Sequence, residues 1–190
     1  YYRDAAAVAK RALALKPEDA NFHFLAIKAC QDAQDAEGPA LAARAVEKFP
    51  ASARANFEHA WFLQRAGKSA ESVVYLKKAM AADPAYEEPF YFYGGILLDE
   101  GRLEEALEPL RTAVKNRPDY TGASVALGRA LMESNRTEEA IRVLEQAARI
   151  APKHPQPPLM LSRLWFRAGD PEKARQAKEL SLRLRRENSA

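Results

Sequence analysis

The sequence predicts an all-α fold: an α-solenoid of about five helical hairpins, preceded by an N-terminal half-repeat helix. Three observations predict it. Prolines recur at Pro17, Pro50, Pro84, Pro118 and Pro152, 33 residues apart once and 34 thereafter. Each follows a helical pattern and precedes another; proline lacks an N–H and clashes with the preceding turn, so it ends one helix and lets the next begin. Small residues keep the same period, with Ala26, Ala60, Gly94, Gly128 and Ser162 in one column and Gly38, Ser72, Ala106, Ala140 and Ala174 in a second. Between them a turn column reads Gly67, Gly101, Asn135 and Gly169. A left-handed residue often ends a helix, a conformation glycine adopts freely and asparagine tolerates best of the rest.

The elements follow in order. Residues 1–17 fit only the second helix of a hairpin, with Ala5, Ala9 and Ala12 in second-helix columns. A lone half-unit would expose an apolar flank, so the chain is expected to be cut from a longer protein. Hairpins are expected at about residues 19–50, 53–84, 87–118, 121–152 and 155–187, forming a single array over 1–190. The first lacks the turn glycine, and its Gly38-Pro39 pair suggests a longer first helix and a shifted turn. Leu63, Leu97, Leu131 and Trp165 on the first helices, and Leu76, Leu110 and Leu144 on the second, fill the space beside the small columns. Glu104-Glu105 and Glu138-Glu139 open second helices, where acidic side chains favour the positive end of the helix dipole. In the last helix Lys178 stands in an apolar column and charges continue through Arg186, which reads as the polar cap a solenoid needs.

The period, the small columns, the turn glycines and the closing prolines together resemble the tetratricopeptide repeat (TPR). The third hairpin, Phe90-Tyr91-Phe92-Tyr93-Gly94 with Gly101, Ala106, Leu110, Ala113 and Pro118, carries the pattern well. So does the fourth, Leu127-Gly128 with Ala140, Leu144, Ala147 and Pro152. Any one unit is a weak signal; several columns held in phase over most of the chain are a strong one. The resemblance implies a protein–protein interaction scaffold, with a partner segment lying along the first helices of the hairpins.

Composition agrees. Apolar residues make up 47% and charged residues 29%, ordinary for a soluble globular chain. The net charge is +3, below what a nucleic-acid binder usually shows on one face. The excess is concentrated from Lys153 onward, with nine Lys or Arg against four Asp or Glu. The basic last helix, with Arg175, Arg183, Arg185 and Arg186, is most simply a solvated cap, which argues against nucleic-acid and membrane partners. One cysteine, Cys30, excludes a disulfide framework within the chain and leaves cytoplasm and periplasm open, with the cytoplasm favoured.

Chemistry-bearing motifs fail one by one. Gly67-Lys68-Ser69 resembles a P-loop tail, but Phe62 stands where the required glycine should be. Gly122-Ala123-Ser124-Val125-Ala126 lacks the last glycine of a nucleophile elbow. His23, His59 and His154 have no partner at metal spacing, and His59 falls in a column of packed apolar residues. The chain is therefore read as no enzyme, with no cofactor, no metal and no small-molecule substrate.

Carried over by column, the resemblance gives a groove. One row reads His23, Phe57, Tyr91, Val125, Leu159; the next Ile27, Trp61, Gly95, Arg129, Arg163; the third Cys30, Gln64, Leu98, Met132, Phe166. The candidate contacts are Phe57, Trp61, Gln64, Tyr91, Gly95, Leu98, Val125, Arg129, Met132, Arg163 and Phe166. Aromatic and arginine side chains are the usual anchors of interfaces, and Gly95 would leave a dip where an apolar side chain could enter. The Lys and Asn pair with which some family members grip a terminal carboxylate is absent from Phe57/Trp61 and Tyr91/Gly95. Packing between neighbouring first helices competes with this reading for Phe57, Val125 and Leu159. The alternative function is an oligomerisation or accessory arm of a larger protein or enzyme, its groove filled by a second copy or by another segment of its own chain.

Overall fold

A computed structural model describes residues 1–189. Among these there are eleven α-helices and no strand. α1 (Tyr2–Leu15) stands before five hairpins. These pair α2 (Ala20–Ala33) with α3 (Gly38–Lys48), α4 (Ala53–Arg65) with α5 (Ser69–Ala82), and α6 (Glu87–Asp99) with α7 (Leu103–Asn116). The last two pair α8 (Thr121–Glu133) with α9 (Thr137–Ile150), and α10 (Gln156–Arg167) with α11 (Pro171–Glu187).

The prolines act through the residue before them. Lys16, Phe49, Asp83, Arg117 and Ala151 each leave the helix, with φ of −136°, −126°, −143°, −137° and −121°. A following proline ring disfavours the helical region, so each second helix ends one residue early and the next can start at a new angle. Side chains then cap some of the starts: Ser52 accepts from Ala55 N–H and Asp170 from Lys173 N–H, each taking up a donor the helix leaves unpaired.

Inside every hairpin the same closure recurs. Gly67, Gly101, Asn135 and Gly169 are left-handed, with φ of +75°, +74°, +58° and +80°. The N–H that follows each reaches back five residues, from Lys68 to Leu63, Arg102 to Leu97, Arg136 to Leu131 and Asp170 to Trp165, at 2.8–2.9 Å. The first hairpin achieves this without glycine. Gln34 takes φ +52°, and Asp35 N–H donates to the Cys30 carbonyl at 2.9 Å. The expected shifted turn is thus a left-handed glutamine followed by a longer connection to a shortened α3.

The chain divides into two compact units, residues 1–89 and the residues from 90 onward. In the first, one core cluster joins Ala6, Ala9 and Leu13 of α1 to Phe24, Ile27 and Cys30 of α2, and to Leu41 and Ala45 of α3. In the second, Leu97, Leu110, Leu131, Leu144 and Leu164 form the centre and are almost wholly buried. Burying one such leucine stabilises the fold by about 1.5–3 kcal/mol. Gly94 and Gly128 are where paired helices meet closely: a Cβ would lie 2.5 Å from Leu110 at the first and 2.7 Å from Leu144 at the second. Ser72 keeps its column small and adds a bond, its hydroxyl donating to the Ala60 carbonyl at 2.9 Å.

Candidate partner-binding groove

The expected contact residues fall in both units. In the first, Phe57 is 5% exposed and packs edge-on against Tyr86 at 5.4 Å, so it presents little surface. Trp61 is half-buried, with Arg65 over its ring at 5.0 Å and Phe62 edge-on at 4.9 Å. It borders a cleft of about 340 Å³ with Cys30, Gln31, Pro39 and Ala66. Gln64 is half-buried, and its side-chain oxygen has no hydrogen-bond partner among the described residues. The two internal histidines are packed. His23 shares a 2.8 Å hydrogen bond with the Pro17 carbonyl, and His59 meets the Tyr75 ring edge-on at 4.6 Å while burial lowers its pKa.

The second unit gathers most of the rest into one opening of about 560 Å³. α6 supplies Tyr91, Gly95 and Leu98; α8 supplies Val125, Arg129 and Met132; α10 supplies Leu159, Met160 and Arg163. The spacing explains the gathering, since residues three and four apart on a helix share a face. Tyr91 is steadied edge-on by Tyr120 at 4.9 Å, and Tyr120 in turn lies under Arg117 at 4.3 Å. Leu98 is 4% exposed and forms floor, whereas Val125, Met132 and Leu159 are half-buried. At Gly95 an added Cβ would meet nothing within 4 Å, so the floor there is open. Phe166 stands apart from this opening. It is 72% exposed and borders a wider surface with Leu159, Pro171 and Lys178.

Charges sort themselves within the groove. Arg129 donates to Glu133 at 2.8 Å and lies 3.7 Å from Asp99, and the Glu133 hydrogen bond holds its pKa above the usual arginine value. Arg167 does not face the opening; it donates to the Met132 carbonyl at 3.2 Å and so ties α10 to α8. Sequence reasoning missed Gln156, Gly122 and Arg185, which also line the groove. Arg185 is the surprise, because it comes from the helix read as a plain cap. Only its length sets this helix apart: α11 runs 17 residues against 14 in α9, so its last turn has no counterpart in α9.

Among the described residues no group of three His, Cys, Asp or Glu could hold a metal ion, and no helix is long and apolar enough to cross a membrane. The site is a surface of shape and charge.

A family profile described as Tetratricopeptide repeat matches residues 97–153 and 131–186, and a second of the same description matches 58–121. No curated protein sequence matches the chain. Solved structures do. MamA 41-end from Desulfovibrio magneticus RS-1 aligns with TM-score 0.75 at 18% identity, over 90% of this chain and 97% of that one. YrrB, described as a TPR protein with an unusual peptide-binding site, aligns with TM-score 0.73 at 20% identity over 95% and 93%. PilF of Pseudomonas aeruginosa aligns with TM-score 0.75 at 20% identity over 96% and 77%. Eleven helices in paired succession, five identical hairpin closures and these matches lead to one assignment: the chain belongs to the tetratricopeptide repeat family, a fold of protein–protein interaction scaffolds.

Proposed function

We propose that the chain is a non-catalytic scaffold whose second unit holds an extended partner segment along α6, α8 and α10, with an apolar side chain seated at Gly95. One observation carries this reading. The groove's half-buried apolar side chains surround a floor left open at Gly95, a position where the helix tolerates a glycine that its own packing does not need. A recess with apolar walls and a few placed charges is the usual form of a binding site. The peptide-binding site named for YrrB lends the analogy of fold only. Trp61 is proposed as a further anchor, within the first unit. Gly95→Trp should fill the recess, leave the circular-dichroism melt intact, and abolish binding of peptides selected on the native chain. Undiminished binding would refute the seat at Gly95. Self-association is the competing occupant, favoured by the exposure of Phe166; light scattering that gives a dimer broken by Phe166→Ala would support it.

A further inference from the structure

Five charged side chains line the second unit's groove: Arg129, Arg163, Arg185, Asp99 and Glu133. Both carboxylates are engaged by Arg129. Arg163 and Arg185 are exposed, and no acidic group among the described residues pairs with either. On α11, by contrast, Arg175 pairs with Glu172 at 2.9 Å and Arg183 lies 3.8 Å from Glu187. The groove thus keeps two uncompensated guanidinium groups beside an apolar recess.

Their placement is held by specific bonds. Ser181 Oγ donates to the Pro155 carbonyl at 2.8 Å, and Asn188 Nδ2 donates to the Lys153 carbonyl at 3.2 Å. These two bonds bracket Arg185 and tie the extra turn of α11 to the loop that leads into α10. Arg185 therefore enters the groove at the Gln156 end. Arg163 lies seven residues further along α10, about 10 Å at 1.5 Å per residue. Leu159 sits between them on the same face.

Resting on the groove reading above, we propose that the partner is an acidic–apolar segment of another protein. Two of its Asp or Glu side chains, about three residues apart, pair with Arg163 and Arg185, and its apolar side chain enters beside Gly95. In the polyproline II form of an extended chain, side chains three residues apart share a face and lie about 9 Å apart, which covers the distance between the two arginines. Guanidinium groups take carboxylates in two-pronged, charge-assisted bonds, which fixes the register of the segment as well as attracting it. The last helix is then part of the recognition surface as well as a cap.

The test is to pan a phage-displayed random-peptide library against the whole chain, then titrate the selected peptide against the native chain, against the double variant Arg163→Glu with Arg185→Glu, and against Gly95→Trp. The expected consensus pairs acidic with apolar positions. Charge reversal should weaken the selected peptide at least about tenfold, which is ~1.4 kcal/mol. Added salt should weaken the native complex, because exposed charges are screened. Neither arginine makes an ion pair in the fold, so the melt of the variant should match the native one; if it does not, Arg163→Gln with Arg185→Gln serves in its place. Peptides that need an open Gly95 but show no acidic enrichment, or ignore charge reversal, overturn this inference and leave the groove reading standing. Peptides indifferent to Gly95→Trp as well, or no selected peptide at all, overturn both. Tighter binding of a single-stranded oligonucleotide through the same two arginines also overturns it.

Discussion

The two units carry the same columns and put them to different use. In the first, His23, Ile27, Cys30 and Phe57 of the groove columns are buried, Ile27 and Cys30 completely, and Trp61 and Gln64 are half-buried. In the second, the same columns bury only Leu98, while Tyr91, Gly95, Val125, Arg129, Met132, Leu159, Arg163 and Phe166 are half-buried or exposed. A column fixes which face of a helix a residue occupies; whether that face is covered depends on what its neighbours bring. Around Cys30, Gly38 lets Phe62 come in close, since a Cβ on Gly38 would lie 2.5 Å from the Phe62 ring. In the second unit Gly95 stands where no side chain arrives. Gly38 and Gly95 therefore do opposite things, one admitting a neighbour and the other leaving a recess, and within the second unit Gly128 sides with Gly38.

That contrast is broken most sharply at glycine. Gly128→Leu drives a side chain into Leu144, and overpacking of this kind costs about 1–3 kcal/mol. Gly95→Ala adds a methyl in open space and removes a flexible helix position, so it should stabilise by about 0.5–1 kcal/mol. The two melting temperatures should move in opposite directions. Because repeat units couple mainly to their neighbours, hydrogen exchange in Gly128→Leu should rise in the second unit. Equal and unchanged melts would show that the small columns are not contact sites.

The fold was legible because its determinants are short-range. A proline and a left-handed turn residue act within a few residues and a small column within one hairpin, and repetition multiplies weak signals. Arg185 was not legible, because its position in the groove depends on the long-range bonds from Ser181 and Asn188. Nor could the columns say that Phe57 would be covered by Tyr86. Burial is a property of pairs distant in sequence, and one column carries only one member of each pair.

The first hairpin sharpens the comparison by a smaller amount. Gln34 holds φ +52° where three later hairpins use glycine and one uses asparagine. A left-handed residue with a Cβ is disfavoured by about 1–2 kcal/mol. Gln34→Gly should recover roughly 1 kcal/mol of that strain, less the extra freedom glycine gains in the unfolded chain. The gain should appear as a higher melting temperature for the first unit; Gly67→Gln should lose a similar amount. No gain at Gln34 would mean that its side chain makes compensating contacts.

The smallest effect concerns Glu58, which marks another difference between the units. It is 6% exposed on α4, and burial pushes its carboxyl pKa up. Three polar neighbours face it. Gln31 Nε2 donates to it at 2.6 Å, Arg54 lies 3.6 Å away, and Glu88 adds like-charge repulsion. Gln31 and Arg54 pull the pKa back down, but desolvation is the larger influence. Its folded pKa lies above its unfolded one, so the folded chain binds the proton more tightly. The stability supplied by the neutral carboxyl is complete below the ordinary glutamate range near 4.3, and it is lost as pH rises through the folded value. Glu58→Gln keeps an oxygen for Gln31 and removes the ionisation. It should raise the melting temperature at neutral pH, change it little well below the glutamate range, and flatten the native slope between the two. A variant less stable at neutral pH would show that the Arg54 ion pair outweighs desolvation, and would make Glu58 a charged anchor of the first unit instead of a tolerated buried acid.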